Sequence, residues 1–127
     1  MANLFERGGL QQDTGLLKQR WAQQGSTLVN IQSNKGNVSA TLYTVTAGKT
    51  LYINAITIVN DDDDGIGRFK LQDGAGGTNK HIQSMSNIFG DTIQLTFPTP
   101  LEFETDIYFD STVTNTDVNL TIIGWEE

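Results

Sequence analysis

The densest chemistry in the chain is a run of four consecutive carboxylates, Asp61, Asp62, Asp63 and Asp64, followed by Gly65. Taken as Asn60-x-Asp62-x-Asp64-Gly65, the run supplies oxygen ligands at the first, third and fifth positions of a calcium loop. It also supplies the glycine such a loop needs at its sixth. The twelfth position is Leu71, where a bidentate Glu is required, and Asp61 and Asp63 would overcharge the loop. The run therefore reads as a solvated connector between strands, and no metal is expected.

The other candidate groups fare no better as catalysts. His81 is the sole histidine, so a Ser-His-Asp triad or a histidine-centred metal site would have to include it, and no G-x-S-x-G elbow exists to supply a nucleophile. A surface or sheet-edge histidine is the expectation. Glu102 and Glu104 share one face and Asp106 follows, and paired carboxylates can hydrolyse glycosides. They fall on the outward phase opposite Leu101 and Phe103, where burial cannot readily raise one pKa. Gly74-Ala75-Gly76-Gly77 lacks the Lys-Ser/Thr and helix start of a phosphate loop. Asn37-Val38-Ser39 and Asn119-Leu120-Thr121 match glycosylation sequons by chance in a Thr- and Asn-rich chain. No catalytic residue and no cofactor is expected, and the chain reads as a non-enzyme.

Composition bounds what must position these groups. With 127 residues, one core is expected, and without cysteine there is no disulfide framework or thiol nucleophile. Net charge is −7 and unevenly spread: residues 1 to 35 carry four Lys or Arg against two acids, and residues 81 to 127 carry eight acids and no Lys or Arg. Nucleic acid is an unsuitable partner for that acidic end, because phosphate contacts need clustered cations. The start, Met1 to Gly9, has neither the apolar stretch of a signal peptide nor a membrane span, so cytosolic synthesis and no membrane partner are expected.

From Ser26 onward the apolar residues alternate with a period of two. Strands are expected over Leu28 to Gln32, Val38 to Thr46, Thr50 to Asn60, Ile66 to Gln72, Lys80 to Met85 and Val118 to Trp125. The first two would form a hairpin across the connector Ser33 to Asn37. Ala47-Gly48-Lys49 reads as a tight turn. Thr50 to Asn60 has apolar residues on both phases, which predicts a central strand or a bulge near Ala55-Ile56. Ile93, Leu95, Phe97, Leu101, Phe103, Ile107 and Phe109 all sit on odd positions, giving successive strands one apolar face. Pro98 and Pro100 are expected to turn the chain or carry it between sheets. About eight strands at ten-residue spacing, without a long helix, predict an all-β antiparallel β-sandwich over 26–127. A jelly roll is favoured and an immunoglobulin-like Greek key is the competitor.

Residues 1–25 break that pattern. Glycines and glutamines separate Leu4, Phe5, Leu10, Leu16, Leu17 and Trp21, and Leu17 and Trp21 fall four apart on a short potential helix over Leu16 to Gln24. Such a segment reads as an extended arm that lies on a surface, reaching roughly 80 Å if fully extended. With Arg7, Lys18 and Arg20 it forms the expected partner-binding arm. Trp21 is expected to serve an intermolecular contact, and Trp125 either caps the end of the core or anchors an interface.

Thr46-Ala47-Gly48-Lys49-Thr50-Leu51-Tyr52-Ile53, then Phe97-Pro98-Thr99-Pro100-Leu101-Glu102-Phe103 and the terminal Gly124-Trp125-Glu126-Glu127, resemble small jelly-roll virion proteins of tailed bacteriophages. The resemblance spans about residues 45 to 127. It implies a capsid decoration, or cement, protein: non-catalytic, a dimer or trimer, bound to the major capsid protein on the outside of an icosahedral head. A receptor- or glycan-binding module of a head fibre or tail fibre is the alternative.

Overall fold

Every long apolar alternation in the sequence needs a second apolar surface to cover it, and the chain supplies one by folding a ribbon of paired strands back on itself. The computed structural model describes residues 26–35, 38–61, 67–112 and 118–127. Eight strands run in chain order: β1 (Thr27–Lys35), β2 (Ala40–Thr44), β3 (Leu51–Asn60), β4 (Gly67–Asp73), β5 (Thr78–Met85), β6 (Thr92–Phe103), β7 (Asp106–Ser111) and β8 (Val118–Glu126). They form a first sheet of order β1-β8-β3-β6 and a second of order β2-β7-β4-β5, with antiparallel pairing throughout. The first strand pairs with the last, the second with the seventh, the third with the sixth and the fourth with the fifth. That nesting is the jelly-roll arrangement, so the expected β-sandwich is present. Residues 1–25, assigned to an arm, lie outside the described residues.

The core is filled from both sheets: Leu51, Ile53, Ile56, Ile58, Phe103, Leu120 and Ile122 face Phe69, Leu71, Ile107 and Phe109. Phe69 and Phe109 lie on neighbouring strands with ring centroids 4.8 Å apart and tilted by 36°. A diagonal aromatic pair of this kind stiffens the sheet beyond its area burial. Ile93, Leu95, Phe97 and Leu101 pack against the same core but are only half-buried. They belong to β6, which among the described residues has a neighbouring strand on one side alone.

Two expectations are corrected. The Leu28 to Gln32 and Val38 to Thr46 segments do not form a hairpin, because β1 pairs with β8 and β2 with β7 in different sheets. Pro98 and Pro100 do interrupt pairing between Phe97 and Leu101, but they neither turn the chain nor carry it between sheets. Both lie within β6, where four residues, 97–100, stand against Asn54 alone between the pairs Ala55↔Thr96 and Ile53↔Leu101. An edge strand can hold prolines in a bulge because its outer N–H groups have no ladder to complete.

That bulge also settles β3. Its buried residues run Leu51, Ile53 and then Ile56, Ile58, Asn60, so the inward phase changes across Asn54 and Ala55. The strand is both central and bulged. Gly124 on β8 sits opposite the same irregularity, where a Cβ would collide with the Tyr52 carbonyl oxygen. The turn at Ala47-Gly48-Lys49 is as expected: Lys49 N–H donates to the Thr46 carbonyl at 3.0 Å, and Gly48 takes a φ of 80°.

Candidate interaction surfaces

The inward phase of β8 continues past Val118, Leu120 and Ile122 to Gly124 and then to a carboxylate, Glu126, which is 3% exposed. Its Oε2 accepts from the Tyr43 hydroxyl at 2.8 Å and from the Thr46 backbone N–H at 3.0 Å, and its Oε1 accepts from the Thr46 hydroxyl at 2.7 Å. Burial alone would raise its pKa. The Thr46 backbone and hydroxyl bonds and the Tyr43 bond, with Lys49 nearby, outweigh it and hold the carboxyl below its ordinary value. Burial, then the hydrogen bond and charge of Glu126, push the Tyr43 phenol up to about 12. The group is a structural tie from the end of β8 to the 45–50 connection between the sheets.

Asn60 plays the matching part at the other end of the first sheet. It is fully buried at the end of β3, and its Nδ2 donates to the carbonyls of Ser86 at 2.8 Å and Ile88 at 2.9 Å. Its backbone adds two more ties, donating to Asp91 O at 2.9 Å and accepting from Gly90 N–H at 2.6 Å. Ser86 Oγ donates to Asp91 Oδ2 at 2.8 Å, and Asp91 N–H closes on the Ile88 carbonyl at 3.2 Å. The 86–91 loop is thereby held from both sides, and at its tip Ile88 and Phe89 are 62% and 64% exposed. Two adjacent large apolar side chains are thus held in water by a heavily bonded loop.

The outer faces of the two sheets differ in kind. Reading across β1, β8, β3 and β6, the first sheet presents the rows Leu28, Trp125, Tyr52, Glu102; Asn30, Ile123, Ala55, Thr96; Gln32, Thr121, Thr57, Gln94; and Asn34, Asn119, Val59, Thr92. Glu102, on the edge strand, is ionised within that grid, and two more carboxylates reach its ends: Glu127 Oε2 accepts from Trp125 Nε1 at 3.4 Å and Asp61 Oδ2 from Asn119 Nδ2 at 3.3 Å. The second sheet turns Arg68, Lys70, Asp106 and Asp110 outward, with Lys70 and Asp110 in an ion pair at 3.8 Å. Near the polar end of the first face lies an open depression of about 390 Å³ lined by Gln32, Ser33, Asn34, Asn119, Leu120 and Thr121.

Of the groups singled out in the sequence, few come together. Asp61 is exposed, residues 62–66 lie outside the described residues, and Leu71, in the place of the missing calcium ligand, points into the core. Among the described residues no cluster of His, Asp or Glu could hold a metal. His81 is half-buried on the edge strand β5, with Nε2 3.1 Å from Gln83 Oε1 and its ring edge-on to Phe97. Glu102 and Glu104 are exposed, as their phase required. The backbone N–H groups of Glu104 and Thr105 instead bind the carboxylate of Asp73, which fixes the turn from β6 to β7. Trp125 does not cap the core. It lies half-buried on the outer face, stacked on Tyr52 with centroids 5.4 Å apart. The arm residues Leu4, Phe5, Arg7, Leu10, Leu16, Leu17, Lys18, Arg20 and Trp21 all lie outside the described residues.

The sequence does not mark Glu126 or Asn60 as a buried tie, and Asn60 figures there only as the end of a strand and the first position of the rejected calcium loop, although Asn60 lies one step of two beyond Ile58 and Glu126 two such steps beyond Ile122 on the inward phase. No helix among the described residues is long and apolar enough to cross a membrane. No protein-family model, curated protein or solved structure matches the chain.

Proposed function

We propose that the chain is a non-enzymatic structural protein of a phage virion, decorating and stabilising an icosahedral capsid through contact with the major capsid protein. The observation that supports this reading best is the 86–91 loop. A buried side chain spends its hydrogen bonds on holding Ile88 and Phe89 in water, an arrangement that costs exposed apolar area and gains nothing until a partner covers it. The fold is compatible with the role, since jelly rolls serve in capsids, although they serve in lectins as well. The well-bonded acids, Asp73 and Glu126, are used as ties within the fold. The first 25 residues, with their apolar anchors and slight positive charge, provide a second grip.

The test is attachment. Full-length protein added to heads of its phage assembled without it should bind and raise their resistance to heat. The chain lacking residues 1–24 should keep its strand content by circular dichroism and lose attachment. Undiminished binding of the shortened chain would overturn the role given to the first 25 residues, and failure of the full chain to bind would overturn decoration.

The depression lined by amide and hydroxyl side chains favours one second reading, a site for an uncharged glycan on a head or tail fibre. Screening the purified protein against a glycan array separates the two. A saturable signal lost in Asn119→Ala would favour the glycan.

A further inference from the structure

We propose that, in the free chain, residues 14–25 fold back onto the outer face of the first sheet and cover its apolar end around Leu28, Tyr52, Ile123 and Trp125. The proposal does not rest on capsid attachment. Leu28 is 61% exposed and Ile123 44%, and they adjoin Ala55 and the stacked rings of Tyr52 and Trp125 across three neighbouring strands. Apolar side chains scattered singly over a surface are ordinary, but ones gathered in a single patch outside the core mark a place where something docks.

The path of the chain names the occupant. Ser26 leads into β1 at this end of the face: its Oγ donates to Glu127 Oε1 at 3.2 Å, and the other oxygen of that carboxylate accepts from Trp125 Nε1 at 3.4 Å. Backbone bonds of 2.9 and 3.0 Å between Glu127 and Thr50 fix the residue that carries it. The segment that precedes Ser26 therefore starts beside Trp125. Two strand spacings of about 4.8 Å and one row of about 6.8 Å put the whole patch within roughly 15 Å of that start. Trp21 stands five residues before Ser26 and can reach about 17 Å, while Leu17, nine before it, can reach about 30 Å.

Charge selects the same segment. Residues 14–25 carry Lys18 and Arg20, no acid, and the apolar side chains Leu16, Leu17 and Trp21. The rows of this face hold no Lys or Arg, and Glu102 and Glu127 flank its apolar end, both exposed and neither in an ion pair among the described residues. The second sheet offers no equal seat, since its exposed Ile82 stands opposite Lys70 and next to the Arg68–Ser84 pair. A tethered segment also acts at an effective concentration on the order of mM, so a contact too weak to join separate molecules is populated within one chain. A second copy has no such advantage, and at a net charge of −7 it is repelled.

Heteronuclear NMR of the full chain tests this, with a synthetic peptide of residues 1–25 as the unseated reference. The amides of residues 16–21 are expected to resonate away from their positions in the peptide, and Ile123→Lys returns them to those positions while melting stays cooperative. Leu17→Ser with Trp21→Ser shifts the signals of Leu28, Tyr52, Ile123 and the Trp125 indole, and leaves those of Lys70 and Ile82 on the second sheet unmoved. Lys18→Glu with Arg20→Glu moves the same signals the same way, because carboxylates on the segment then face Glu102 and Glu127. All these differences persist on dilution, as a contact within one chain must. Wild-type signals of residues 16–21 that coincide with the peptide's would overturn the proposal, and so would departures that survive Ile123→Lys. Shifts that appear on the second sheet instead of the first would also overturn it, as would differences that fade on dilution, which put the segment on another copy.

Discussion

The two ends of the first sheet use the same device with different chemistry. At one end β8 runs out of apolar residues and places Glu126 on the inward phase, while at the other end β3 does the same with Asn60. Each side chain is buried, and each holds a connection that crosses the sandwich end: 45–50 for Glu126, 86–91 for Asn60. One tie is a charge that three donors compensate, and the other is a neutral amide. The difference teaches that the sandwich ends are closed by specific buried bonds where apolar packing stops. The Glu126 tie is itself a titrating group, whereas the Asn60 amide is not.

The charged end should be the more costly to break. Glu126→Ala strands the Tyr43 hydroxyl and both Thr46 donors in a partly buried site, and hydrogen bonds to a charged acceptor are the strong kind. A loss of about 3 kcal/mol is expected, which lowers the melting temperature by about 10 °C for a chain of this size. Thermal melts at neutral pH check it; a fall of only a degree or two would mean that the network is satisfied by water.

Asn60→Ala removes two neutral bonds whose acceptors, the Ser86 and Ile88 carbonyls, lie in a surface loop that water can reach. About 1 to 2 kcal/mol is expected. Hydrogen exchange should show the 86–91 amides losing protection while those of β8 keep theirs. Equal loss at both ends would show that the two closures are one cooperative unit rather than two.

Acid separates the ends in the wild-type chain. The Glu126 carboxyl has a folded-state pKa below its unfolded value, so the unfolded chain takes up its proton first as pH falls. Its stabilisation is complete above the unfolded value and is lost as pH drops through the folded one. Tyr43 behaves oppositely: with its phenol pushed up to about 12, its contribution is complete below the ordinary tyrosine value and is lost as pH rises through the folded one. Melting temperature followed from about pH 7 to pH 3 should fall more steeply in wild type than in Glu126→Gln. Asn60→Ala should parallel wild type. Superimposable curves for wild type and Glu126→Gln would break the assignment of acid sensitivity to this end.

What the sequence revealed and what it hid follow from how local each feature is. The alternation at Ile93 to Phe109 and at Val118 to Ile122 needs only the strand's own period, and it located the core correctly. Pro98 and Pro100 misled because tolerance for proline depends on β6 being an edge, a fact decided by β3 and by there being no further strand beyond β6 among the described residues. The false hairpin between β1 and β2 arose the same way, since turn residues signal a reversal without saying which strand is met afterwards. Glu126 and Asn60 were legible in principle. Extending the inward phase by two residues beyond Ile58 reaches Asn60, and by four beyond Ile122, past Gly124, reaches Glu126; a polar residue at an inward position must find buried partners.

The smallest effect on stability should come from the residues the Asn60 end displays. Ile88 and Phe89 stand outside the core cluster, with nearly two-thirds of each exposed, so Ile88→Ser with Phe89→Ser should leave melting within about half a kcal/mol of wild type. Their cost should appear elsewhere. If the loop is an attachment anchor, the double variant loses binding to phage heads although it folds normally. Asn60→Ala, with Ile88 and Phe89 present but the loop loosened, loses less, because the anchor must then be ordered on contact. Binding by the double variant equal to wild type would leave the rigid loop without a role in attachment.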